Sequence, residues 1–165
     1  MEAQLLAFSK ATGIFDLLHS PWGWPIVESL HFIGLSLLVG AVGLFDLRVL
    51  GLARQLPITA LHRLVPFGVA GFALNVVTGV MFVTSVPDQY LYNPAFQSKL
   101  LFMALAGFNM LLFYGVSWPA LGQGQALRRA QIGAAVSLLC WLGVIVCGRL
   151  ITFFRPPFFW CFWCG

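Results

Sequence analysis

The sequence predicts an all-α integral membrane protein: a bundle of four transmembrane helices preceded by a short helix in the membrane interface. Three observations carry that prediction. Of 165 residues, 60% are hydrophobic and only 8% are charged, whereas a soluble domain carries about 25% charged residues. Four apolar runs, 25–45, 64–83, 100–121 and 132–148, are 17 to 22 residues long, and a helix crossing a ~30 Å hydrocarbon core needs about 20. None of the runs shows the strict alternation of a barrel strand. The four spans and their short connections fill the chain, so 1–165 reads as one transmembrane domain.

Before the first span, residues 1–18 mix Leu5, Leu6, Phe8, Ile14, Phe15, Leu17 and Leu18 with Glu2, Lys10 and Asp16, the composition of a helix lying in the interface. The segment lacks the basic start, continuous apolar core and small-residue cleavage site of a signal peptide, so it is expected to be retained. The breaks between spans are marked by Arg54, Gln55 and Pro57, then by Pro87, Asp88 and Asn93, then by glycine and glutamine ending in Arg128 and Arg129. Gly68, Gly71, Gly79 and Gly107 suit close helix contacts, and Asn75 and Asn109, both near mid-membrane, suit an amide pair across helices.

Four spans put both termini on one side, face A. Face B then carries Arg48, Arg54, Arg63, Arg128 and Arg129, and face A carries Lys10, Lys99, Arg149 and Arg155. The positive-inside rule makes face B cytoplasmic and leaves the N and C termini on the non-cytoplasmic side. The net charge of +4 is thus accounted for by topology. No basic stripe, RNA-binding motif or phosphate-cradling glycine loop accompanies it, and nucleic acid is set aside as a partner.

The same bookkeeping sorts the ionisable residues. His31 lies six residues into the first span, about 9 Å deep at ~1.5 Å per residue. His62 opens the second span at the opposite face, so the two cannot share a metal ion. Lys99 opens the third span and Arg149 closes the fourth, both at face A, bringing Glu28, His31, Lys99 and Arg149 toward one level. An ionisable side chain within a span costs around 3 kcal/mol and by default faces the bundle interior with a partner. Histidine is a common haem ligand. Helical spacing sets Glu28, Gly34 and Leu38 near its face, Gly34 leaving room for a flat ring, and sets Lys99, Met103, Ala106 and Met110 on one face of the third helix.

The physical reading is a b-type haem near face A, with His31 on the iron, Lys99 or Met103 as a second axial ligand, and Arg149 neutralising propionates. The structural alternative is that His31 hydrogen-bonds Glu28 or a neighbouring helix, that Lys99 anchors a helix end at the interface, and that the methionines pack. At face B, Asp46, Arg48, Arg54, His62 and Arg63 read as a charged belt holding helix ends at the headgroups.

Several runs carry a resemblance: His31-Phe32-Ile33-Gly34-Leu35 through Leu38-Val39-Gly40 to Phe45-Asp46-Leu47-Arg48-Val49-Leu50-Gly51, then Asn93-Pro94-Ala95-Phe96-Gln97-Ser98-Lys99-Leu100 with Ala106-Gly107-Phe108-Asn109, and Trp141 through Gly148-Arg149. Over about residues 22 to 154 the chain resembles an uncharacterised family of four-helix bacterial integral membrane proteins. More distantly it is similar to HemJ-type protoporphyrinogen oxidases and CopD-type membrane domains, in a histidine early in the first helix and a lysine opening the third. The HemJ resemblance implies haem b and gives weight to His31 and Lys99. The chain departs from that pattern at Phe45-Asp46-Leu47-Arg48 and in its aromatic tail, so the resemblance implies fold and cofactor rather than porphyrinogen oxidation.

That tail, 155–165, stops the fourth helix with Pro156-Pro157 and follows with Phe158, Phe159, Trp160, Phe162 and Trp163. Such rings seek the interface or a partner surface. They are expected to hold other membrane subunits or a second copy of the chain. Cys161 and Cys164 form a terminal C-x-x-C, which suits a disulfide, inert thiols, half a metal site or a redox pair, and Cys140 and Cys147 read as packing residues.

Three functions follow. The first is a haem b protein of the bacterial inner membrane that carries electrons or performs a quinone-linked oxidation, with quinone or porphyrin as the small-molecule partner. The second is a non-catalytic accessory or assembly subunit of a larger membrane complex. The third is a CopD-like metal permease using Met81, Met103 and His31.

Overall fold

The computed structural model describes residues 1–52, 55–117 and 124–154. Ala53 and Arg54, residues 118–123 and the whole tail 155–165 lie outside the described residues, and with them Arg54's place in the expected belt, the aromatic docking segment, Arg155, Cys161 and Cys164.

All regular structure among the described residues is helical. In chain order the helices are α1 (Glu2–Ala11), α2 (Ile14–His19), α3 (Gly23–Val49), α4 (Ile58–His62), α5 (Val65–Ser85), α6 (Pro87–Leu91), α7 (Pro94–Leu112) and α8 (Gly124–Leu150). A π turn, Phe113–Ser117, extends α7, and a 3-10 turn, Ile151–Phe154, ends α8. The segments Gly23–Val49, Ala60–Ser85, Pro94–Val116 and Leu127–Phe154 are long and apolar enough to cross a membrane.

These spans overrun the apolar runs at several ends. The third starts at Pro94 rather than at 100 because Asn93 caps it: its Oδ1 accepts from Ala95 N at 3.0 Å and Phe96 N at 3.3 Å, with Pro94 in the first turn. The first runs on to Val49 and stops where Gly51 takes φ +95°. There Gly51 N bonds Arg48 O and Leu52 N bonds Leu47 O, the paired closure of a Schellman motif.

The N-terminal segment is two helices rather than one, broken at Gly13 with φ +75°. Beyond its expected interfacial position, it packs on the end of α5, where the buried Ser9 and Ser85 hydroxyls meet at 3.0 Å.

Close packing joins α3 to α5, α7 to α8, and α3 to α8; α5 and α7 make no comparably close approach. Two buried clusters mark the ends. Leu18, Val27, Phe82, Tyr90, Ala95 and Ile151 gather at face A, and Phe45, Val49, Leu61, Phe113, Ala130 and Ala134 at face B. The topology read from the sequence, with N-terminal segment and fourth-span exit on one side, therefore holds. Asn93, fully buried, ties that side together: its Nδ2 donates to Ile151 O at 3.0 Å and Phe154 O at 3.3 Å, fixing the chain just before the tail.

The α3/α5 contact is a small-residue crossing. A Cβ on Gly71 would sit 2.5 Å from Gly34 O, and one on Gly34 would sit 2.6 Å from Asn75 Nδ2. Gly34 thus admits a neighbouring helix and not a flat ring, which corrects the expectation from spacing. Gly68, beside Ala41, belongs to the same contact, whereas a Cβ on Gly107 would meet nothing within 4 Å. The expected Asn75 and Asn109 pair does not form: Asn75 Nδ2 donates to Gly71 O in its own helix and Asn109 Nδ2 to Gly133 O on α8. Adjacent backbone carbonyls satisfy each amide at less cost than a reach across the bundle.

Candidate functional site

The face A half of the bundle holds polar side chains drawn from three helices, α3, α5 and α7. His31 on α3 is half-buried, and its Nδ1 lies 2.7 Å from Thr78 Oγ1 on α5. Thr78 has one hydroxyl proton, and the 2.7 Å bond to Leu74 O takes it. Thr78 Oγ1 must therefore accept, and His31 Nδ1 is the donor. Nε2 is left as the lone-pair nitrogen, and among the described residues it has no hydrogen-bond partner. The ring is held further by the edge of Phe82 at a centroid distance of 5.9 Å, itself packed on Trp24 at 4.7 Å. A Cβ on Gly79 would lie 4.0 Å from His31 Cε1, ordinary contact.

Lys99 reaches into the same level from α7. Its Nζ lies 3.7 Å from where a Cβ on Gly148 would sit, so the ammonium lies over the glycine of α8. It is within electrostatic range of His31 and of Cys147. Among the described residues it makes no hydrogen bond or ion pair. Ionisable groups at this depth ordinarily find a partner, yet His31 Nε2 on α3 and Lys99 Nζ on α7, whose side chains are in electrostatic range of each other, have none among the described residues.

Not every expected member joins them. Met103 is half-buried one turn beyond Lys99, but Met110 is exposed. The inward seam of α7 runs through Ala95, Lys99, Phe102, Ala106, Asn109 and Phe113, which leaves Met110 outside it. Glu28 is exposed, so it is not the partner of His31. Arg149 is exposed too, donating to Thr152 Oγ1 at 3.3 Å and lying 6.0 Å from the centre of the Phe153 ring. The structure keeps it at the rim of face A rather than beside His31 and Lys99.

Thr78 was the residue that sequence reading missed. The signal lay in seam spacing: Gly68, Gly71, Asn75, Thr78 and Phe82 follow alternating steps of three and four, as do Val27, His31, Gly34, Leu38, Ala41 and Phe45 on α3. Glu28 falls one position off that second seam.

The face B belt is also revised. Asp46 is buried at 6% exposure, in electrostatic range of Ser137 on α8, and makes no salt bridge with the described arginines. Arg48 Nε donates to Leu56 O at 2.6 Å, and the His62 ring stands edge-on to Phe45 and Tyr114 at 6.3 and 5.9 Å. Asp46 enters the bundle because Ala41, Phe45 and Val49 turn this side of α3 inward against α8.

Fold and site together define a multi-pass helical membrane protein with an intramembrane histidine and lysine. No family model, curated protein or solved structure matches the chain.

Proposed function

We propose that the protein binds a b-type haem in the face A half of the bundle, with His31 Nε2 as axial ligand, and serves electron transfer or a quinone-linked oxidation. The observation that carries this reading is the His31 to Thr78 hydrogen bond, which commits Nδ1 and leaves Nε2 unpartnered. A metal-ligating histidine ordinarily gives its other ring N–H to such an acceptor, which fixes both tautomer and orientation. Lys99 Nζ, unpartnered at the same level, suits the second axial position, with half-buried Met103 one turn away.

The loosely packed α5/α7 side is where a planar ring would enter from the bilayer. Arg149 at the rim suits a propionate only at the outer edge of such a ring. A haem held this way would supply one-electron transfer, and the chain's own part would be to orient the imidazole and exclude water. An apolar groove of about 200 Å³ between α3 and α8, lined by residues including Val39, Leu138 and Trp141, suits an isoprenoid quinone tail.

The placement of Lys99 sharpens the orientation. With Lys99 inside the bundle, face B keeps five basic residues and face A keeps Lys10, Arg149 and Arg155, which favours a cytoplasmic face B and non-cytoplasmic termini. The resemblance to bacterial four-helix proteins noted in the sequence supports a bacterial inner membrane as the location. The functional reading is tested by a pyridine haemochrome assay on protein purified in mild detergent from haem-replete cells. It predicts b-type haem at about one per chain, the occupancy of one axial histidine site; haem at trace level would remove the reading.

A further inference from the structure

The face B half contains a second polar site that the haem reading does not use and that stands or falls independently of it. Asp46 is 94% buried, and its Oδ2 has no hydrogen-bond partner, with Ser137 of α8 in electrostatic range of the carboxyl. Tyr114 is in electrostatic range of Asp46 and stands edge-on to His62 at 5.9 Å. Tyr114 lies in the π turn Phe113–Ser117 that extends α7. Asp46 is buried, Tyr114 and His62 half-buried, so the three groups lead from the interior to face B.

We propose that Asp46 is a proton-binding site, exchanging its proton with face B through Tyr114 and His62. In this exchange a proton from the aqueous side bonds to a carboxylate oxygen of Asp46 on loading, and the same O–H bond breaks on release, with no change of oxidation state. A shut-away carboxylate oxygen without a donor is costly, and a bound proton relieves that cost. A metal cation would need several more oxygen ligands. Among the described residues no three His, Cys, Asp or Glu side chains gather, and one carboxyl with one hydroxyl is too few. The other groups on the elements around Asp46 are compatible with a proton: Asn109 is committed to Gly133 O, Arg48 to Leu56 O, and Arg63, Arg128 and Arg129 are exposed. At this end of α5, Val65, Gly68 and the preceding Leu64 are apolar or bare.

The test is infrared difference spectroscopy of the full chain in liposomes, stepping the pH of the medium. The C=O stretch of a protonated carboxyl should appear on acidification and vanish in Asp46→Asn. Tyr114→Phe and His62→Ala should keep the band but slow its appearance after a pH jump. Should Asp46→Asn fail to fold, Asp16→Asn/Asp88→Asn leaves Asp46 as the only aspartate of the three, and carbon-13 aspartate must then shift the band. A spectrum of Asp46→Asn identical to wild type, or a labelled double variant with no shifted band, overturns the proposal. A band that sodium removes at constant pH overturns it in favour of a cation site, and unchanged kinetics in both relay variants overturn the route.

Discussion

His31→Ala should abolish haem binding, leaving the purified protein without a Soret band, while His62→Ala should retain the wild-type spectrum. The asymmetry follows from position. His31 is anchored by Thr78 with Nε2 unpartnered, in the same half of the bundle as Lys99. His62 lies at the other face against Phe45 and Tyr114. Alanine at 31 removes the only histidine of the face A interior among the described residues, so the expected effect is loss rather than attenuation. Thr78→Val keeps the shape of the threonine but removes the acceptor for Nδ1–H. Loss of such an outer partner typically weakens metal binding by about 10- to 100-fold, so this variant should lose haem on dilution while His62→Ala does not. Optical spectra at matched protein concentration read all three. Equal loss in His31→Ala and His62→Ala would place the cofactor elsewhere.

Gly71→Ala should weaken the bundle more than any other single methyl addition at its glycines on the α3/α5 seam. The new Cβ would stand 2.5 Å from Gly34 O and 2.8 Å from Leu38 N, both backbone atoms that no rotamer change can move. The helices must separate, and overpacking of this kind costs about 1–3 kcal/mol, against a gain of up to about 1 kcal/mol from alanine's helix propensity. Thr78 lies two turns along from Gly71, so separation there also loosens the His31 hydrogen bond. Gly107→Ala is the control, because its Cβ meets nothing within 4 Å. Denaturant titration in mixed micelles should show a lower midpoint for Gly71→Ala and an equal or higher one for Gly107→Ala. Matching midpoints would mean that the α3/α5 crossing is looser than described.

The four spans were legible because hydropathy is a local property: twenty apolar residues in a row have few other fates. Span ends were less so, since Asn93 and Gly51 act through capping geometry that an apolar run does not display. His31 and Lys99 were legible by depth, which counting residues supplies. Partners were not. Whether His31 meets Glu28 or Thr78 depends on how α3 is rotated, and the Gly34 and Gly71 crossing sets that rotation by forcing two backbones together. The same rotation carries Asp46 into the bundle, where charge alone had suggested a surface belt. Alternating steps of three and four through the small residues would have predicted both inward seams, while grouping residues one turn apart on a single helix drew in Glu28 and Met110.

The most direct test of the central claim is the optical spectrum of the purified wild-type protein, air-oxidised and then dithionite-reduced. A Soret band that shifts on reduction is expected, with the sharpened α and β bands of a low-spin b-type haem, since His31 Nε2 and Lys99 Nζ offer two nitrogen ligands in the same half of the bundle. A colourless preparation from haem-replete cells, with no absorbance change on reduction, would contradict it.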